Sequence, residues 1–275
     1  MPGFWSRFLR NRSAAAGLVF LCFVVLLAAS ASLVFPGSPF EIVGKPFQPP
    51  FGAYLLGTDS LGRDIARGIA HGAQTSLLIG IVATIAAVSL GTVLGGLAGF
   101  YGGWIDDALM RFTEFFQTIP YFIFAIVLVA ILSPSIESIV IAIAVVSWPP
   151  IARLVRGEFM AMRSREFVQA SIVLGMSDPA IIFRQILPNA LSPIIVAGSL
   201  MIATAILIES ALSFLGLGDP NAMSWGFMIG AGRSFLRDQW WLCAIPGIAI
   251  LLTVLSINLV GEGINDALNP RLRTL

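Results

Sequence analysis

Long apolar runs separated by short polar segments set the pattern of this chain. Runs at residues 14–35, 75–99, 119–132, 136–155, 190–210 and 242–260 carry little charge. A helix of about 20 apolar residues crosses a bilayer, so the pattern predicts an all-α polytopic membrane protein with about six transmembrane helices. The third run is short, and Ser133-Pro134-Ser135 makes a tight turn into the fourth, which Trp148-Pro149-Pro150 is expected to break. The first run is too long for a signal-peptide core and lacks a small-residue cleavage site before Pro36, so it reads as a retained span. The expected layout is an N-terminal segment 1–13 and a single membrane domain 14–275. That domain carries outer loops at 36–74 and 211–241 and a cytoplasmic loop at 156–189.

Between the fourth and fifth runs lies the longest stretch with charge at both ends, residues 163–188. A first helix opens at Ser164-Arg165-Glu166 and runs to Leu174, where Gly175 ends it in a left-handed conformation. Ser177-Asp178 offers a cap, with Pro179 at the first helical position. The second helix is expected to run to about Ile186 and to close at Leu187-Pro188. Around the turn sit Ile172, Val173, Leu174 and Met176, an apolar knob on a polar loop. Either a groove on a partner covers it, in the helix-in-groove mode, or the protein's own helices do.

Composition agrees with the membrane reading. The chain has 275 residues, 57% hydrophobic and 11% charged, with a mean hydropathy of +0.91; soluble domains run at about 25% charged. Net charge is +1 with no basic stripe, which argues against nucleic-acid binding. Cys22 and Cys243 both lie in apolar runs and read as packing residues. A single histidine, His71, rules out a multi-histidine metal site, and no nucleophile–base set suggests an intramembrane hydrolase. The absence of a Gly-x-x-x-x-Gly-Lys-Ser/Thr phosphate loop excludes ATP hydrolysis by that machinery, and no cofactor is expected in this chain. A self-sufficient secondary transporter would show inverted repeats and paired intramembrane charges, and neither is evident.

Orientation follows from lysine and arginine, which favour the cytoplasmic side. With a cytoplasmic N-terminus, six spans place Arg7, Arg10, Arg12, Arg111, Arg153, Arg156, Arg163, Arg165, Arg184, Arg271 and Arg273 inside. Lys45, Arg63, Arg67, Arg233 and Arg237 fall outside, leaving eleven of the 16 basic residues inside. Both termini then face the cytoplasm, and Trp240 and Trp241 fall at an outer boundary.

Other residues invite chemistry. Gly91, Gly95 and Gly99 repeat every four positions, a spacing that lets helix backbones approach closely. Thr58 or Asp59 is expected to cap a helix beginning near Leu61, with Arg63 paired to a nearby acid; Asp64 is a candidate docking residue. Asp107 and Arg111 are four apart and suit an ion pair on one helix face. Ionisable residues in spans usually face a cavity or a partner, so Glu209, Asn258 and Glu262 are candidate pathway or interface residues, Glu209 near the outer end of its span.

The loop's spacing also carries a resemblance. Gln169-Ala170-Ser171, then Gly175, then nine residues and Gln185-Ile186-Leu187-Pro188 resemble the "EAA" loop of bacterial ABC-importer permeases. Gln169, Ser171 and Gln185 depart from that pattern. The stretches LGTDSLGRDIARGIAHGAQTSL, ESALSFLGLGDP, SWGFMI and NLVGEGINDALNPRLR resemble the second permease of the dipeptide, oligopeptide and nickel branch. The resemblance implies a type I importer permease arrangement in the bacterial inner membrane. It also implies a sister permease, two cytoplasmic ATPase subunits that bind ATP and Mg, and an extracytoplasmic substrate-binding protein. The ATPase-coupling residues would be Glu166, Gln169, Ala170, Ser171, Leu174, Gly175, Met176, Leu187 and Pro188. Peptides are the expected substrate, with nickel or another small solute as the alternative.

Overall fold

The computed structural model describes residues 4–268. Arg271, Arg273 and the end of the last motif lie outside the described residues, as does the side chain of Arg7. Among the described residues eleven α-helices run in order: α1 Phe4–Arg10, α2 Arg12–Val34, α3 Ile65–Tyr101, α4 Gly103–Gln117, α5 Tyr121–Leu132, α6 Ile136–Arg163, α7 Glu166–Val173, α8 Asp178–Ile181, α9 Leu187–Phe214, α10 Trp225–Gly232 and α11 Trp241–Leu268. Among the described residues the only β pairing is two isolated bridges, Ile42 with Arg63 and Thr58 with Asp64, which stitch the outer loop. Among the described residues five helices are long and apolar enough to cross a membrane, with a sixth crossing if α4 and α5, bent by 81° at their break, count as one. The expected third span is therefore a twelve-residue helix preceded by an amphipathic one. Helix α4 leaves Trp104, Phe112 and Phe115 exposed.

Helices α3 and α6 cross backbone against backbone. A methyl group at Gly91 would meet Ile151 Cβ at 2.8 Å and the Trp148 carbonyl oxygen at 2.9 Å. One at Gly95 would strike the Ala152 carbonyl oxygen, and one at Gly99 the Arg156 carbonyl oxygen at 2.5 Å. Three glycines spaced by four thus face three residues spaced by four, so both helices present one face along the whole contact. The glycine stripe is packing inside this chain.

Several expected boundaries move, each for a physical reason. Helix α3 starts at Ile65, so the outer loop ends at 64 and not 74. Asp64 Oδ1 accepts from Ala66 N at 2.9 Å as its cap. Its first turns bury Ile65, Ala66, Gly68, Ala70, Gly72 and Ala73, so packing rather than hydropathy extends the helix. Asp59, the expected cap, instead accepts from Leu61 N and Arg63 N, both at 2.8 Å, which closes the preceding turn. Pro149 and Pro150 do not break α6. Trp148 and Pro149 are buried, and Phe112 and Phe116 lie against the Trp148 ring, so packing holds the helix through the missing N–H groups. Ion pairing at the inner end uses Asp106, not Asp107: Asp106 accepts from Arg156 Nε at 2.5 Å and Nη2 at 2.6 Å, a bidentate clamp between α4 and α6.

The largest correction concerns Leu187-Pro188. The second helix of the cytoplasmic loop does not close there. Residues 182–186 form a π-helical turn that feeds into α9, with Leu187 N bonded to Ile182 O, and the helix runs from Asp178 to Phe214 as one span. A wide π turn leaves room for the proline ring, which would otherwise clash with the carbonyl four residues back. The loop at 156–189 shrinks accordingly to the segment between Arg163 and Asp178. Likewise, α9 extends to Phe214 and α10 occupies part of the expected outer loop 211–241. Trp240 is exposed, whereas Trp241 is buried beside Ile65.

Adding a methyl at Gly95 should overpack the crossing by about 1–3 kcal/mol. Purified protein carrying Gly95→Ala should melt at lower temperature than wild type. Gly157→Ala, where a Cβ meets nothing within 4 Å, should not. Equal melting of the two variants would refute the assignment of Gly95 to a tight crossing.

Candidate functional site

The turn at Gly175 is built by a specific hydrogen-bond pair. Gly175 has φ +73°, its N–H donates to Ile172 O at 2.9 Å, and Met176 N donates to Ser171 O at 3.1 Å. This is the Schellman arrangement, which satisfies the last carbonyls of α7 and reverses the chain. A Cβ at Gly175 would meet nothing, so glycine is favoured there by backbone conformation and not by space. Ser177 precedes α8 in extended conformation but makes no side-chain cap bond.

The two faces of α7 differ in role. Val168 and Ser171 are buried, and with Ile181 and Ile186 they lie under the ends of α3 and α6. Met176 packs partly against the same cluster. Outward stand Glu166, Gln169, Ala170 and Ile172, with Val173 86% and Leu174 81% exposed. Of the two covers considered for the apolar knob, the protein's own helices take only Met176. Gln169 Nε2 donates to Arg163 O at 2.8 Å, tying α7 to the last turn of α6. Leu187 is half-buried and Pro188 exposed on the continuing helix. An open cleft bounded by Met162, Arg165, Glu166, Phe167 and Asn189 runs beside α7.

Glu209 lies five residues before the end of α9 and faces the protein interior. It is wholly buried between α3, α9 and α10. Its Oε1 accepts from Ser224 Oγ at 2.7 Å and Ser213 Oγ at 2.8 Å; Oε2 accepts from Ser76 Oγ and Ser210 Oγ, both at 3.4 Å. Sequence reasoning missed these serines. Ser210 and Ser213 lie on the same helix, but Ser76 and Ser224 arrive from elsewhere in the chain. Asn258 and Glu262, by contrast, stay exposed on one face of α11, in line with Leu251, Leu255 and Asn265.

The outer residues hold the loop together. Thr58 is buried, donating to Lys45 O at 2.7 Å and accepting from Gln48 N at 2.9 Å. The Arg63 guanidinium lies 5.0 Å above the Phe40 ring and 4.0 Å from Asp59. His71 Nε2 sits 3.2 Å from Phe35 O, linking α3 to the end of α2. Among the described residues no group of three or more His, Cys, Asp or Glu side chains is placed to hold a metal.

Comparison with known proteins agrees with this architecture. Residues 91–274 match the family model of binding-protein-dependent transport system inner membrane components. Residues 3–50 match the N-terminal transmembrane domain of oligopeptide transport permease C. A dipeptide transport system permease protein of Alkalihalophilus pseudofirmus is 40% identical over 96% of this chain and 88% of its own length. A di/tripeptide permease protein of Pseudomonas aeruginosa is 39% identical over 98% and 92%. An oligopeptide permease protein of Haemophilus influenzae is 37% identical over 96% and 86%. Among solved structures, an inward-facing MetNI methionine ABC transporter chain shares the fold, with a TM-score of 0.62 at 17% identity over 74% of this chain and 96% of that one. With its long apolar helices, its helix–glycine–helix turn and these matches, the chain belongs to the inner-membrane components of binding-protein-dependent transport systems.

Proposed function

We propose that this chain forms half of the translocation pathway of an ATP-driven peptide importer and is driven through the turn at Gly175. The observation that carries this reading is the pair Val173 and Leu174, exposed at the tip of a rigid reversal. Two large apolar side chains on a conformationally fixed turn suit a complementary groove. The partner is one of two cytoplasmic ATPase subunits, which bind ATP and Mg; this chain contributes no cofactor site. A sister permease completes the pathway, and Asn258 and Glu262 face it or the water between the two, because polar side chains on a span avoid lipid. The peptide assignment is supported by relatives named as dipeptide, di/tripeptide and oligopeptide permeases. An extracytoplasmic receptor delivers the substrate.

Mechanically, closure of the ATPase pair displaces α7 and α8. Because α8 continues into α9 without a break, the displacement enters a membrane helix directly, and rigid-body movement switches access.

Replacing Leu174 with Asp should leave the permease folded but abolish co-purification of the ATPase subunits, with uptake falling at least about tenfold, a loss of about 1.4 kcal/mol or more in productive contact. Retention of the ATPases at wild-type level would sink the docking assignment. Gly175→Val forces a branched side chain into a left-handed conformation, at about 1–2 kcal/mol. That complex should assemble yet import radiolabelled dipeptide more slowly; wild-type uptake would show that the turn transmits no force. Reconstituted vesicles containing the sister permease, ATPases and receptor should accumulate dipeptide and not nickel, and the converse result replaces the peptide reading with the nickel one.

A further inference from the structure

The proton arrangement around Glu209 has a mechanical consequence. Helix α10 begins with Ser224, whose Oγ accepts from Phe227 N at 3.0 Å as the N-cap. Ser76 Oγ accepts from Trp225 N at 3.3 Å. Each hydroxyl therefore receives a backbone N–H on its oxygen and keeps its own hydrogen free to donate. Both donate to the Glu209 carboxylate, along with Ser213 and Ser210. Four hydroxyls converge on one carboxyl group, whose two oxygens have the acceptor capacity to take them all. Two of those donors, Ser224 and Ser76, also accept from N–H groups of the first turn of α10.

The cage ties three elements together: Ser76 on α3, Glu209, Ser210 and Ser213 on α9, and Ser224 at the start of α10. Close backbone approach reinforces it, since a Cβ at Gly226 would meet Ser210 Cα at 2.5 Å and one at Gly230 the Ser213 carbonyl oxygen at 2.9 Å. Sliding α10 against α9 would strip hydrogen bonds from a buried polar group, which low-dielectric surroundings penalise. Beyond α10 the contact continues outward. Phe227 packs edge-on against Phe40 at 5.8 Å, and Phe40 lies under Arg63. Inward, Glu209 stands on the same helix as Asp178, about 47 Å away at 1.5 Å per residue.

We infer that Glu209 is a positioning residue that locks α10 and the outer loop to the α8–α9 helix, so that displacement at the ATPase end reaches the receptor-facing surface as a rigid-body motion. This rests on the proposed importer reading. It assigns Glu209 to transmission between the two ends of the molecule, and removes it from the pathway lining.

The test uses the reconstituted complex with spin labels at Leu207 on α9 and Ala231 on α10, both exposed. Distances are measured without nucleotide and after trapping with Mg-ATP and vanadate. In parallel, ATPase activity is measured with and without receptor saturated with dialanine. A wild-type complex whose ATPase ignores the receptor would sink the importer reading itself. Given a responsive wild type, its label distance should be the same in both states. In Glu209→Ala and Ser224→Ala the distance should change between states or broaden, and the ratio of receptor-stimulated to basal ATPase should fall by about fivefold or more, the lower end of ordinary coupling between sites. Glu209→Gln keeps one oxygen for Ser213 and Ser224 and should fall between wild type and Glu209→Ala; it decides the matter if the alanine variant does not assemble. Wild-type ratios in Glu209→Gln and Ser224→Ala overturn the inference, as does a reduced ratio with an unchanged label distance.

Discussion

Backbone contact between α3 and α6 is the constraint on which the rest of this fold depends. Between lipid-facing helices there is no hydrophobic driving force, so association rests on close packing and hydrogen bonds. Glycines 91, 95 and 99 let α6 approach until its carbonyls touch α3. That contact brings Phe100, Val155 and Phe159 together at the inner end, and this cluster receives Val168, Ile181 and Ile186 from the turn below. The Asp106–Arg156 clamp closes the same corner from α4. The Gly175 turn is thus held at a fixed height under the bundle by residues that the glycine crossing positions.

A second constraint is continuity. The π turn at 182–186 lets Pro188 sit inside a helix instead of ending it. The consequence is that no hinge separates α8 from the membrane helix α9. On the other side of the turn, Gln169 bonds to the end of α6. Both arms of the reversal are therefore anchored, one by a covalent helix and one by a hydrogen bond, while Val173 and Leu174 project between them.

The membrane spans and the Gly175 reversal were legible because each is a local property. Apolar runs identify spans, and a glycine between two capped helical patterns identifies a left-handed turn. What was not legible depends on distant contacts. Residues 65–74 include Arg67, His71 and Gln74, so hydropathy hid a helix that tertiary burial extends. Asp107 looked like the natural partner of Arg111 by spacing, but the clamp forms from Asp106 across helices, where Arg156 reaches it bidentately. Pro188 read as a terminator because nothing local signals a π turn. The enclosure of Glu209 was not legible because two of its four donors, Ser76 and Ser224, are far from it in sequence.

The departure at Gln169 illustrates how one atom type redirects a surface. Its neighbour across the turn is the Arg163 carbonyl oxygen, an acceptor. An amide NH2 can donate to it, whereas a carboxylate would face it with like partial charge and turn outward. With glutamine, the side chain is spent on holding α7 to α6, and Glu166, in the first turn, is the one acid on α7. The outward face of the helix is then apolar at its tip and anionic only at its start. In the proposed docking, recognition of such a face would rest on shape and apolar contact at Val173 and Leu174, with the charge of α7 near Glu166. A carboxylate at 169 would instead place a second charge one turn nearer the tip and leave the end of α6 without its tie.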